Sequence, residues 1–138
     1  MYPEELVKPM RQELTAVGFR ELKTADDVDT VMKDSSGTLL VVFNSVCGCA
    51  AGNARPGIRL ALKNKTKPTL LATVFAGQDQ EATARARSYV KGYPPSSPSV
   101  ALFKQGKLVY MMERHQIEGH HPQMIAEGLI EAFNTHCA

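Results

Sequence analysis

Two cysteines separated by a single glycine are the residues of this sequence best suited to covalent chemistry. Cys47 and Cys49 follow a run of β-branched and aromatic residues and precede a segment with helical periodicity. At such a strand-to-helix junction, free backbone N–H groups and the positive end of the helix favour the thiolate over the thiol. Because the thiolate attacks disulfide sulfur, Cys47 is expected to be the nucleophile and Cys49 the thiol that resolves a mixed disulfide.

The single-residue spacing of the pair affects the disulfide that it could form. Residues two apart point to opposite sides of a regular helix, so a Cys47–Cys49 bond requires a distorted backbone, which Gly48 permits. A strained disulfide is more easily reduced. The pair is therefore expected to be more oxidising than a wider-spaced dithiol. It is also expected to be better at isomerising disulfides or unblocking thiols than at reducing stable bonds.

Two other interpretations of the cysteine pair stay open. The cysteines can be small buried residues at a helix start, since free cysteine packs as an apolar group. They can also be half of a zinc or copper site, although the remaining candidate ligands lie on distant segments without a second paired spacing. Those candidates are Cys137, His115, His120, His121 and His136. Cys137, next to the last residue, is expected to be a spectator thiol, with a third redox role or an intermolecular bond as the alternative.

Composition places the chain among ordinary globular proteins and predicts one domain over residues 1–138. It is 43% apolar and 22% charged, and its 16 basic and 14 acidic residues leave a net charge of +2. That charge is too small to indicate a nucleic-acid partner. Apolar runs of about five residues are far short of a membrane span. The acidic start does not resemble a signal peptide, and an odd number of cysteines is no secreted disulfide framework, so a cytoplasmic location is expected.

Hydrophobic periodicity predicts alternating helices and strands around the cysteine pair. Helices are predicted over residues 3–17, from a Thr24 cap through Met32, and over 58–64, 78–91 and 122–136. Strands are predicted over residues 19–22, 38–44, 69–76, 99–103 and 107–112. Breaks are expected at 35–37 and at the proline-rich loop 93–98, and a helix start or kink at Pro56 and Gly57. This order predicts an α/β fold: a central mixed sheet with a C-terminal antiparallel hairpin, flanked by helices on both faces.

Three motifs together resemble the bacilliredoxin family over essentially the whole chain. They are NSVCGCAAGNARPG at residues 44–57, PPSSPSVALF at residues 94–103 and IEG at residues 117–119. The resemblance implies a thioredoxin-like fold and thiol–disulfide exchange without a cofactor. It also implies removal of bacillithiol from proteins held as mixed disulfides, and disulfide isomerase activity in some members. The implied partners are bacillithiolated or disulfide-containing proteins and a low-molecular-weight thiol.

The resemblance assigns roles to individual residues. The two motif cysteines fall on Cys47, the attacking thiolate, and Cys49, the resolving thiol. The proline that precedes a strand in thioredoxin-like folds, and is usually cis, falls on Pro98, which would offer the Ser97 backbone as an edge to an extended substrate. Asn53 and Arg55 either contact the carboxylates of a thiol or hold the kinked helix start. The residues expected to contact substrate are Gly48, Asn53, Arg55, Ser97 and Pro98.

Two functions of other classes compete with oxidoreductase activity. One is a metal-binding or metal-delivery module that uses the Cys47 and Cys49 thiolates. The other is an inert thioredoxin-like interaction domain, recruited through the hairpin edge or the surface around Pro98. The sequence leaves open the oligomeric state, the reducing partner and the choice between monothiol and dithiol routes.

Overall fold

The structure is a computed structural model that describes residues 1–34 and 36–138. Within the predicted break at 35–37, Ser35 lies outside the described residues. The first helices and strands are α1 (Glu4–Thr15), β1 (Arg20–Glu21), α2 (Ala25–Lys33), β2 (Thr38–Asn44), a π-helical segment (Ala50–Ala54) and α3 (Arg55–Ala61). The remaining elements are β3 (Leu70–Phe75), α4 (Gln80–Ser88), β4 (Ser99–Lys104), β5 (Lys107–Met112), α5 (Arg114–Ile117) and α6 (Pro122–His136).

The described strands form one mixed sheet in the order β1-β3-β2-β4-β5. β2 pairs in parallel with β3 and antiparallel with β4, and β4 and β5 form the antiparallel hairpin at one edge. The register places Asn44 opposite Phe75, so the carboxyl ends of β2 and β3 lie side by side. The prediction of a mixed sheet with a C-terminal hairpin is confirmed.

β2 is buried along all seven of its residues because helices cover both faces of the sheet. Leu40 and Val42 belong to a core cluster with apolar side chains of α1, α3 and α6. Leu39, Val41 and Phe43 point to the opposite face and join a second cluster with α2 and α4. This double covering fixes the strand that carries the cysteine pair at its end.

The helix after the cysteines begins about ten residues before the predicted one. Gly48 and Cys49 are already helical, residues 50–54 form the π segment, and α3 continues from Arg55. Periodicity missed this part because Ala50–Ala54 contains no large apolar side chain. Pro56, which lacks an N–H, lies just after the wider π turns, where the regular hydrogen-bond ladder is already interrupted.

α3 packs closely against α6 through a glycine. A Cβ on Gly57 would lie 2.7 Å from the Ile125 Cγ2 atom and 3.1 Å from the Pro122 carbonyl oxygen. Only a residue without a side chain allows this approach. The helix that starts at the cysteine pair is therefore fixed against the C-terminal helix.

The predicted β4–β5 hairpin is followed by a short helix that the sequence did not predict. Gln105 and Gly106 have φ values of 52° and 79°, as a two-residue type I′ turn requires. The single-turn helix α5 was not predicted, because four residues are too few for a helical period. Its signal is a capping box between Glu113 and Gln116.

The longer helices are too short or too polar for a bilayer. Across residues 1–34 and 36–138, no helix is long and apolar enough to cross a membrane.

Candidate active site

A buried arginine holds the loop that leads from β2 to Cys47. The Arg55 Nη1 atom donates to the Asn44 Oδ1 atom at 2.9 Å and to the Ser45 carbonyl at 3.0 Å. The same Asn44 Oδ1 atom accepts from the Ser45 N–H at 2.9 Å. Arg55 is 1% exposed, and its Nε atom lies 3.2 Å from the Glu13 carboxylate without a hydrogen-bond alignment. Arg55 thus supports the loop from beneath.

The Cys47 sulfur receives two donors from different parts of the chain. The Cys49 backbone nitrogen lies 3.4 Å from Cys47 Sγ, and the Arg114 Nη2 atom lies 3.3 Å from the same sulfur. The Cys47 carbonyl accepts from the N–H groups of Ala50 and Ala51, which begins the helix. Cys47 is half-buried, so part of the residue is accessible to solvent.

The two cysteines differ in their proton affinity. A hydrogen bond from the Cys49 side chain lowers the pKa of Cys47, with further help from the Cys49 N–H and the Arg114 charge, against a smaller opposing effect of burial. Burial raises the pKa of Cys49, and the hydrogen bond and negative charge of Cys47 raise it further. These opposite shifts favour the thiolate at Cys47 and the protonated thiol at Cys49.

Arg114 is a site residue that the sequence did not reveal. Its Nη1 atom donates to the Ser97 carbonyl at 3.1 Å, and its Nη2 atom forms an ion pair with Glu118 at 3.0 Å. The Arg114 N–H also reaches the Ser96 Oγ atom at 3.4 Å. One guanidinium thus connects the proline-rich loop to the Cys47 sulfur. Only the spacing of four between Arg114 and Glu118 could have drawn attention to it.

The proline-rich loop brings the predicted residue Ser97 to the cleft of Cys47 and places Pro98 directly after it. The Ser97–Pro98 peptide bond is cis, and Pro98 is buried while Ser97 is half-buried. Ser97 and Cys47 line a common open cleft of about 310 Å³, together with Arg114 and Arg87. A larger cleft of about 580 Å³ lies at the opposite end of the sheet and contains no cysteine, so volume alone does not locate the site.

Asn53 and Arg55 lie away from this cleft. The Asn53 Nδ2 atom donates to the His120 carbonyl, which ties the π segment to the loop before α6. Arg55 is enclosed beneath the Cys47 loop and has almost no surface to offer a ligand. Of the two roles considered for these residues, the contacts favour holding the helix start. The exposed Gly48 keeps open space around its Cα.

The other cysteine and the histidines are not gathered at the site. Cys137 follows α6 and packs, half-buried, against the core cluster of that sheet face. His115 pairs with Glu113 at 3.1 Å, and His120 contacts the Glu118 carbonyl at 3.2 Å. In the part of the chain that the structure describes, no group of three or more His, Cys, Asp or Glu residues is placed to hold a metal ion.

Solved structures share this fold. Thioredoxin from Fasciola hepatica superposes with a TM-score of 0.60 over 86% of this chain and 99% of its own, at 21% sequence identity. The sheet order and the helices on both faces thus define a thioredoxin-like fold, as predicted.

Sequence relatives identify the family. The family model described as Disulphide isomerase matches residues 2–137. The bacilliredoxin of Koribacter versatilis is 54% identical over 99% of this chain and 94% of its own. The bacilliredoxin of Cytophaga hutchinsonii is 55% identical over 94% of this chain and 95% of its own. The chain belongs to this family of bacilliredoxins, as its motifs predicted, and its general function is thiol–disulfide redox chemistry.

Proposed function

We propose that the protein releases low-molecular-weight thiols, bacillithiol in particular, from proteins to which they are bound as mixed disulfides. The observation that carries the proposal is the unequal cysteine pair, with an accessible Cys47 of lowered pKa and a buried Cys49 of raised pKa. A nucleophile and a resolving thiol need this difference, because only one of them should attack first. The proposal places this reaction in the cytoplasm, where reducing conditions keep protein thiols free.

The exchange has two steps that balance in atoms and electrons. In the first step, the Cys47 thiolate attacks the small-thiol sulfur, and the protein thiolate leaves and takes up a proton. In the second step, Cys49 loses its proton and attacks the Cys47 sulfur, which displaces the small thiol and leaves a Cys47–Cys49 disulfide. Two low-molecular-weight thiols, or a dithiol reductase, then reduce this disulfide and are themselves oxidised. In the monothiol route, a second small thiol replaces Cys49 in the second step.

The residues around Cys47 have separate parts in this reaction. Arg114 stabilises the thiolate before attack, and its hydrogen bond to the Ser97 carbonyl holds the loop of the cis proline beside the sulfur. In this proposal, Gly48, Ser97 and Pro98 form the surface that meets the substrate. Asn53 and Arg55 keep the helix start and the loop in place rather than contacting it.

The experiment uses a protein carrying a bacillithiol mixed disulfide and follows the release of bacillithiol by mass spectrometry. Cys137→Ser is the matched control because it removes a thiol outside the cleft, and it should retain full activity. Cys47→Ser should abolish release. Cys49→Ser should perform the first step and accumulate a Cys47–bacillithiol adduct. Release that persists in Cys47→Ser would show that the nucleophile is elsewhere.

The same cysteine pair supports disulfide isomerase activity as a second part of the proposal. In this reaction Cys47 opens a non-native disulfide, and a thiol of the substrate then displaces Cys47, so no net oxidant is consumed. Reactivation of a scrambled disulfide protein should require Cys47 and tolerate Cys49→Ser. If Cys47→Ser reactivates the scrambled protein as well as the parent does, isomerase activity is not a property of this site.

A further inference from the structure

The charged side chains that the structure places around the Cys47 cleft are positive. Two charged residues, Arg87 and Arg114, line it, and within the described residues no Asp or Glu does. They come from different elements, since Arg87 lies on α4 and Arg114 begins α5. A molecule bonded to Cys47 in this cleft therefore lies beside two cations.

Among the described residues, no acidic side chain pairs with Arg87. Its Nε atom is buried without a hydrogen bond, and in the described chain its guanidinium forms no ion pair. Its guanidinium carbon lies over the face of the Phe43 ring, 5.9 Å from the ring centroid. Burial lowers the pKa of Arg87, which shows that the surroundings disfavour its charge. Because an arginine stays protonated, its buried Nε–H without an acceptor carries an energetic cost that an added hydrogen-bond acceptor would reduce.

Neighbouring arginines do not share this property. Arg85, two residues earlier on α4, pairs with Asp29 at 2.6 Å. Arg114 is held by Glu118 and by the Ser97 carbonyl, which fixes its position and takes part of its donor capacity. Arg87 is therefore the cation of the cleft that remains available to a ligand.

We propose that Arg87 and Arg114 form a recognition site for a carboxylate of the low-molecular-weight thiol that exchanges with Cys47. This inference rests on the proposed function and narrows its substrates to small thiols that carry negative charge. The bond that forms is between the Cys47 sulfur and the small-thiol sulfur, while the other half of the disulfide leaves as a thiolate. The arginines act by binding and orientation, and a guanidinium matches a carboxylate through two parallel hydrogen bonds.

The test compares two symmetrical disulfides that differ in charge. One is the oxidised dimer of mercaptosuccinate, with two carboxylates in each half, and the other is the uncharged 2-hydroxyethyl disulfide. The rate of adduct formation on Cys47 is measured for both in a Cys49→Ser, Cys137→Ser background. Arg87→Gln should lower the ratio of the anionic to the neutral rate by about tenfold, the effect of one charge-assisted hydrogen bond. The neutral rate should remain unchanged.

Matched variants separate local recognition from other effects. Arg85→Gln removes a charge from the same helix but outside the cleft, and it should leave the ratio unchanged. Arg87→Lys keeps the positive charge and should keep most of the ratio of the anionic to the neutral rate. This variant also keeps the inference testable if Arg87→Gln fails to fold. In the Cys49→Ser, Cys137→Ser protein that keeps all its arginines, high salt should slow the reaction with the anionic disulfide. It should leave the reaction with the neutral disulfide unaffected.

Three negative results have different meanings. If Arg87→Gln is folded and its ratio equals that of the parent, the arginines do not recognise the small thiol. If Cys47 in the parent reacts with both disulfides no faster than a free thiol, the proposed function itself fails. The third comparison uses a neutral small thiol bound as a mixed disulfide to an acidic peptide. If the rate depends on Arg87 with this substrate instead, the cleft recognises the protein substrate and the inference is overturned.

Discussion

At Cys47, a local donor and a distant donor reach the same sulfur. The Cys49 N–H is local, and the position of the cysteine at a helix start predicted it. Arg114 is 67 residues away, and the turn of chain that delivers it is too short to leave a pattern in the sequence. The sequence therefore predicts an activated Cys47, and only the fold reveals the contribution of Arg114.

Removal of the distant donor should shift the reactivity of Cys47 in a defined direction. In Arg114→Gln the thiolate loses a positive neighbour, so the pKa of Cys47 should rise and alkylation at pH 7 should slow severalfold. The measurement is the alkylation rate against pH in a background of Cys49→Ser and Cys137→Ser. The midpoint should lie below the reference thiol value of about 8.5 in the parent and move to higher pH in the variant. Arg20→Gln, an exposed arginine elsewhere, should leave the midpoint in place.

Gly48 should favour formation of the Cys47–Cys49 disulfide and should not be needed for the stability of the reduced protein. Its φ is not positive, and an added Cβ would meet nothing within 4 Å. Gly48→Ala should leave the reduced protein equally stable or more stable by up to about 1 kcal/mol. It should shift the thiol–disulfide equilibrium towards the reduced pair, measured by mass spectrometry after an acid quench in redox buffers. Gly52→Ala, outside the two cysteines, is the control, and an equal shift in both variants would contradict this role.

At the scale of helices and strands, the cysteine pair depends on how two helices meet. The sequence predicted α6 with its observed bounds and β2 to the residue, because both have long, strong apolar patterns. Its periodicity began only at residue 58, because the small residues of Ala50–Ala54 carry no apolar pattern, although the position of Cys47 after a strand placed it at a helix start. The sequence could not predict the contact between Gly57 and Ile125, which depends on the packing of segments far apart in the chain.

This contact gives a prediction about stability. Gly57→Ala should destabilise the protein by about 1–3 kcal/mol, because the new methyl group overlaps Ile125 and the helices must separate. Gly52→Ala is a matched change on the same helical run, where the added Cβ would meet nothing within 4 Å. Urea unfolding of both variants measures the difference. Equal stability of the two would show that the helices absorb the methyl group without cost.

At the scale of the whole molecule, a buried arginine joins the N-terminal helix to the sheet. The side chain of Arg11 is 8% exposed and pairs with Glu4 and Asp79, both at 2.7 Å. It also reaches Glu21 at 3.4 Å, so α1, β1 and the start of α4 share one cation. No periodicity predicts such a hub, because its partners are separated in the sequence.

Loss of this hub should lower global stability and leave the chemistry intact. Arg11→Met should cost about 3 kcal/mol in the free energy of unfolding, because Asp79 loses its partner while mostly buried. Urea unfolding measures this cost, and Arg20→Met is the exposed control. The pH midpoint of Cys47 alkylation should not move. A moved midpoint would indicate that Arg11 shapes the site as well as the fold.

The same hub predicts a pH dependence of stability. The hydrogen bond from Arg11 lowers the pKa of Glu4 from its ordinary value of 4.5. A lowered carboxyl pKa stabilises the fold above pH 4.5, and this contribution is lost as pH falls through the lowered value. The stability of the parent should therefore decline more steeply below pH 4.5 than that of Arg11→Met. If the stability of both proteins declined equally steeply below pH 4.5, this explanation would be contradicted.

The close contact of α3 with α6 also has an evolutionary consequence. Because a methyl group at position 57 would overlap the Ile125 side chain, neither position can change freely while the other stays fixed. Among relatives, an alanine at position 57 should coincide with a smaller side chain at position 125. Positions 57 and 125 are therefore expected to covary, and Ile125→Ala should partly rescue Gly57→Ala in the laboratory.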